Sequence, residues 1–157
     1  MRLTQSQAGS FFMTINEKIK QLRHVGYFVD NMDTTLDLFR RLFDLTDEDI
    51  RVMTTEETAG TGTFGFVSLA GTELELIQLE SDRVKEMCGN PPPGISHVAF
   101  QVEDIEAVVE TMQERGFRLG YITKNGIFDN GKSKVAYLEP EDTGGHLIEL
   151  VEPLPLP

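Results

Sequence analysis

The chain has 157 residues, with 26 acidic against 14 basic side chains and a formal charge of −12. That balance excludes a nucleic-acid binder, which needs clustered Lys and Arg to neutralise phosphates, and it weighs against polyanionic ligands in general. At 39% hydrophobic and 25% charged residues the chain can bury a core, but no apolar run reaches the roughly 18 residues that span a bilayer, so no membrane partner is expected.

Residues 1–21 read as an N-terminal leader, and they lack the apolar centre of a secretory signal. The one cysteine, Cys88, forbids an intrachain disulfide, which fits a reducing cytoplasmic setting. With no second thiol beside it, Cys88 itself reads as a bystander.

After the leader, His24 to Val29 alternates as a strand, with Val25, Tyr27 and Val29 on one face and His24, Gly26 and Phe28 on the other. Leu36, Phe39 and Phe43 follow at helical spacing, with Asn31 or Asp33 as the N-cap. Strand-like runs come next at 63–69 and 73–79. The stretch 81–94 ends in NPPPG and reads as a linker without regular structure, because three prolines in a row forbid it. The second half repeats the order. His97 to Val102 alternates with Val98, Phe100 and Val102 on one face. Ile105, Val108, Val109 and Met112 keep helical spacing after an Asp104 cap, with Gly116 where the helix should end. Strands are then expected near 118–122, 133–138 and 146–151.

This order reflects a duplication. HVGYFVDNMD at 24–33 matches HVAFQVEDIE at 97–106, and GTELELIQ at 71–78 matches GHLIELVE at 145–152. The first pair is offset by 73 positions and the second by 74, so the chain reads as two tandem βαβββ modules, 22–80 and 95–153, within one structural domain. If the helices cover the valine faces, His24 and His97 look into the opposite side of the sheet. Glu75 and Glu149 each interrupt an apolar strand, where a carboxylate is costly to bury unless it is paired or bound to a cation. A histidine and a glutamate per module together make a two-His, two-Glu metal site: His24, Glu75, His97 and Glu149. It keeps two open positions if the metal is six-coordinate. Such donors suit Co, Zn, Ni or Mn, with Fe(II) less favoured, and geometry must decide among them. His146 should point away from Glu149, and Glu73 reads as a solvated acid at a strand start.

From Leu22 to Pro153 the sequence resembles the vicinal oxygen chelate superfamily of glyoxalases, extradiol dioxygenases and antibiotic-resistance proteins. Within it, the methylmalonyl-CoA epimerase family is most similar. The resemblance is carried by HVGYFVDNMD (24–33), TELELI (72–77), GISHVAFQVEDIEAVVETMQERG (94–116) and above all KVAYLEPEDTGGHLIELVEP (134–153). It implies an α+β fold, in which the two modules form a cupped, incomplete-barrel mixed sheet with helices on the outer face. It also implies a homodimer. The family's metal-binding histidines match His24 and His97, and its carboxylate or carboxamide ligands match Glu75 and Glu149. The implied chemistry is abstraction of an α-proton from an acyl-CoA or other thioester through a metal-stabilised enediolate. Glu149 is the first candidate for the base and Glu75 the second proton carrier. The chain departs from the epimerase pattern at Ser96-His97, where a pair of histidines is common. It departs again at Glu139-Pro140-Glu141, where His-Pro-Lys is common, and in NGIFDNGKSK (125–134). The alternatives are a glyoxalase I-like lactoylglutathione lyase, an extradiol dioxygenase using an iron triad, and a non-catalytic resistance-type binder.

Overall fold

Alternating apolar side chains in Ile19–Phe28 and Gly94–Val102 produce strands β1 and β5, about which the molecule is organised. The computed structural model describes residues 14–58 and 60–155. In the first half β1 leads into helix α2 (Met32–Phe43), then β2 (Ile50–Met53), β3 (Gly62–Leu69) and β4 (Thr72–Leu79). In the second half β5 leads into α4 (Ile105–Glu114), then β6 (Phe128–Asp129), β7 (Ser133–Tyr137) and β8 (Ile148–Pro153). The eight strands form one mixed sheet in the order β2-β3-β4-β1-β5-β8-β7-β6, curled as a half-barrel.

That order is a mirror about the centre. Each module pairs its first strand in parallel with its last, β1 with β4 and β5 with β8, and the two first strands pair antiparallel with each other. The helices cover the outer face as the valine periodicity requires. Met32 and Leu36 of α2 bury against Val67 and Leu76, flanked by Tyr27 and Val29. Ile105, Val108 and Val109 of α4 bury against Val102, Ala136 and Leu150. Both helices start as their sequences dictate. The Asn31 side chain accepts from Thr34 N at 2.8 Å, and Asp104 accepts from Ala107 N at 3.4 Å. The Glu152 carboxylate adds a second acceptor at the α4 N-terminus, taking the Asp104 and Ile105 amides.

Four expectations change. Residues 1–13 lie outside the described residues, but Ile15–Lys18 form a helical turn, α1, and β1 begins at Ile19 rather than after residue 21. Ile15 and Ile19 pack against the α4 core, and β1 pairs with β5 as far as Ile19↔Val102, so this stretch is ordered by tertiary contact. The linker 81–94 is irregular at its prolines but opens with a six-residue helix, α3 (Asp82–Met87), capped by the Ser81 side chain on Val84 N. At 118–122 there is no strand, only a bridge between Leu119 and Leu138 followed by a 3-10 turn at Tyr121–Thr123. Finally, β2 and β6 complete the two βαβββ units; at four and two residues they are too short for their alternation to stand out. No helix among the described residues is long and apolar enough to cross a membrane.

Candidate metal centre

The seam between β1 and β5 sets the site. Gly26 pairs with His97 across the seam and has Glu75 as its parallel neighbour on β4. Ala99 pairs with His24 across the same seam and has Glu149 as its parallel neighbour on β8. Each module thus delivers its glutamate beside a small central residue that faces the other module's histidine. At Gly26 this smallness is obligatory. A Cβ there would lie 2.2 Å from His97 Cε1 and 2.4 Å from Nδ1, so any other residue displaces the imidazole.

The four side chains converge. His24 Nε2 and His97 Nε2 are 3.0 Å apart, and each is 3.0 Å from Glu149 Oε2. Glu75 Oε2 lies 3.5 Å from His24 Nε2 and 3.3 Å from His97 Nε2. His97 and Glu149 are buried, and the His24 and Glu75 side chains are only 11% and 14% exposed. Burial opposes an imidazolium at His97, but the Glu149 and Glu75 carboxylates outweigh it and lift its pKa to about 9. Burial likewise opposes charge on Glu149, and the two histidines outweigh it, holding its pKa down to about 2.

This donor set fits a divalent cation. Glu149 Oε2 is buried, and among the groups around it only a proton on one of the two imidazole nitrogens 3.0 Å away could satisfy it. An acceptor so placed is costly unless a cation shares it. Ser96 Oγ lies 3.0 Å from His97 Nδ1. In the tautomer that donates from Nδ1 to Ser96, Nε2 turns a lone pair to the other three donors, the orientation that a metal-ligating histidine needs. Two neutral imidazoles and two carboxylates also match a divalent charge.

Glu75 and His97 line a cavity of about 500 Å³ whose other walls include Phe28, Phe64, Ile77, Tyr121 and Tyr137. Burial, with the negative charges of Glu149 and Glu75, holds the Tyr137 hydroxyl well above the usual phenol range. Cys88 is no remote thiol: it lines the cavity and accepts a hydrogen bond from Tyr121 OH at 3.0 Å. The residues left out of the site by sequence stay out of it. His146 is exposed two residues ahead of β8, and Glu73 pairs with Arg23 at 2.7 Å. Lys124 lines this cavity and an adjoining one of about 300 Å³ that Glu139 also lines, and Glu141 pairs with Arg118. The contributions of Gly26, Tyr121 and Tyr137 were not foreseen. Of these, only Gly26 carried a signal in the sequence, as the smallest residue on the site-facing side of its strand.

Residues 23–137 match the model of the Glyoxalase/Bleomycin resistance/Dioxygenase superfamily, and the chain belongs to that superfamily. The match takes in His24, Glu75 and His97 and ends ahead of Glu149. The mitochondrial methylmalonyl-CoA epimerase of Dictyostelium discoideum is 30% identical over 154 residues, covering 95% of this chain and 89% of that protein. An ethylmalonyl-CoA/methylmalonyl-CoA epimerase of Cereibacter sphaeroides is 34% identical over 89 residues, 54% of this chain and 65% of that one. Among solved structures, methylmalonyl-CoA epimerase from Mycobacterium tuberculosis superposes with a TM-score of 0.69 at 22% identity, covering 91% of this chain and 94% of that one. That likeness establishes the fold. Within the matched stretch, ligand atoms of His24, Glu75 and His97 lie within 4.8 Å of one another, close enough to share one metal ion.

Two measurements check the geometry. Gly26→Ala should weaken Co²⁺ or Zn²⁺ binding about 10–100-fold while circular dichroism shows the fold retained. A cation must also displace the His97 proton, which is held up to about pH 9. Metal affinity measured by titration calorimetry should therefore rise about tenfold per pH unit towards 9 and level off above it.

Proposed function

We propose that this chain is a divalent-metal-dependent epimerase of methylmalonyl-CoA or a related 2-substituted acyl thioester. The observation that carries this reading is the convergence of His24, Glu75, His97 and Glu149 in a cluster from which Glu75 and His97 line a cavity, in a chain that aligns almost end to end with a methylmalonyl-CoA epimerase. Co²⁺, Zn²⁺, Ni²⁺ or Mn²⁺ suits these nitrogen and oxygen donors. When bound, the cation supplies Lewis acidity towards negative charge developing on substrate oxygens.

The chain's own groups would do the rest. His24 and His97 hold the cage, and Ser96 fixes the ring orientation of His97. Glu75 lines the cavity whereas Glu149 is not among its lining residues, so Glu75 is the carboxylate better placed to take the α-proton. Glu149 then acts as a ligand and keeps the site's charge balanced. A substrate seated against the apolar walls Phe28, Phe64 and Ile77 would displace water from the site, which strengthens every charge interaction within it. A homodimer and a cytoplasmic setting belong to the same proposal; the first rests on the family resemblance and the second on the lone Cys88.

A second reading has one observation in its favour. Two carboxylates already neutralise a divalent cation, which lowers the gain from adding an anionic chelator and suits a neutral one such as a glutathione hemithioacetal, the substrate type of a glyoxalase-like lyase.

Solvent-deuterium incorporation at the α-carbon of methylmalonyl-CoA separates the two. Protein reconstituted with Co²⁺ should exchange the α-proton, and His97→Ala should abolish exchange. No exchange despite a bound metal would contradict the epimerase reading and favour the lyase.

A further inference from the structure

Tyr121 occupies a backbone conformation that its residue type rarely adopts. Its φ is 52°, in the left-handed region that penalises bulky side chains. The conformation is imposed from both sides. Before it, Gly120 runs so close to β7 and its extension that a Cβ would lie 2.7 Å from Glu139 Cα, and Gly120 N donates to Tyr137 O at 2.8 Å. After it, buried Thr123 clamps the turn to β7: its hydroxyl donates to Gly120 O and Tyr137 O and accepts from Tyr137 N at 2.7 Å. Packing alone does not explain what this arrangement delivers. The Tyr121 ring meets Tyr137 edge-on at 5.2 Å, and Tyr137 meets His97 at 5.9 Å. A phenylalanine would pack there as well.

What phenylalanine lacks is the hydroxyl, and that hydroxyl rests on a poor partner. Tyr121 lines the cavity and its hydroxyl donates to Cys88 Sγ at 3.0 Å, and a thiol is a weak acceptor. A thioester carbonyl or a carboxylate oxygen entering the same cavity is a much stronger one. We propose that Tyr121 is a substrate-positioning residue whose hydroxyl leaves Cys88 and donates a hydrogen bond to an oxygen of the acyl group held at the cage. Burial keeps the phenol protonated far above neutral pH, so it serves as a donor throughout the working range. Cys88 is then a parking place for the hydroxyl when the cavity holds no substrate. The inference rests on the proposed function in taking an acyl thioester as the ligand.

The test is the dissociation constant of methylmalonyl-CoA for Co²⁺-loaded protein, measured by calorimetry on wild type, Tyr121→Phe and Cys88→Ala, with metal content recorded for each. Tyr121→Phe should weaken binding about tenfold at unchanged metal content. Cys88→Ala should bind as tightly as wild type or more so, because the hydroxyl loses its resting partner. Binding by Tyr121→Phe within twofold of wild type would overturn the inference. So would an equal loss in both variants, which would mark the pair as a structural unit. Wild type that binds the thioester without exchanging its α-proton would sink the epimerase reading alone, and the Tyr121→Phe comparison would still decide the inference. Wild type that does not bind at all would sink both.

Discussion

The antiparallel contact between β1 and β5 is the constraint on which the rest depends. Each module has its own helix-covered core, but neither has a complete site. Their first strands meet in a register that puts Gly26 opposite His97 and Ala99 opposite His24, and that register brings each half's histidine within 3.3 Å of the other half's histidine and glutamate. Because side chains alternate along a strand, a slip of one residue would turn both histidines to the helix side and both valine faces to the cavity. Burial of the valine faces under α2 and α4 therefore fixes the site's geometry as well as the stability of the fold.

The same seam explains why so polar a cluster sits among apolar walls. Four ionisable groups in a confined space would repel or desolvate one another unless their charges balanced. Without a cation the balance is struck by a proton on His97 facing Glu149, hence the opposed displacement of their pKa values. A divalent ion can replace that proton and satisfy the buried Glu149 oxygen as well. The site is thus preorganised by backbone register and charge balance.

Much of this was legible in the sequence because duplication writes the same signal twice. A single histidine at a strand start says little, but His24 and His97 in matched settings, each followed by a glutamate at a matched interval, specify which side chains face one another. Strand and helix periods located β1, α2, β5 and α4 for the same reason: long elements average out local noise. What stayed hidden was short or tertiary in origin. Strands β2 and β6 are too brief to show a period, and α1 with the start of β1 is held by contacts to α4 and β5 rather than by its own composition. A strand expected near 118–122 is replaced by a tight turn, since Thr123 supplies side-chain hydrogen bonds to β7 that no local propensity foretells. That turn also carries Tyr121 to the cavity, and Cys88, silent as a lone thiol in sequence, meets it there from a helix that the proline-rich linker concealed.

X-ray absorption spectroscopy on the Co²⁺-loaded protein addresses the shared cage most directly. It should report one cobalt per chain with two imidazole ligands, the remaining nearest neighbours being oxygen, and both imidazole signatures should disappear when His24 and His97 are replaced together. Cobalt bound without imidazole, or binding that survives the double replacement unchanged, would contradict a metal site built across the β1–β5 seam.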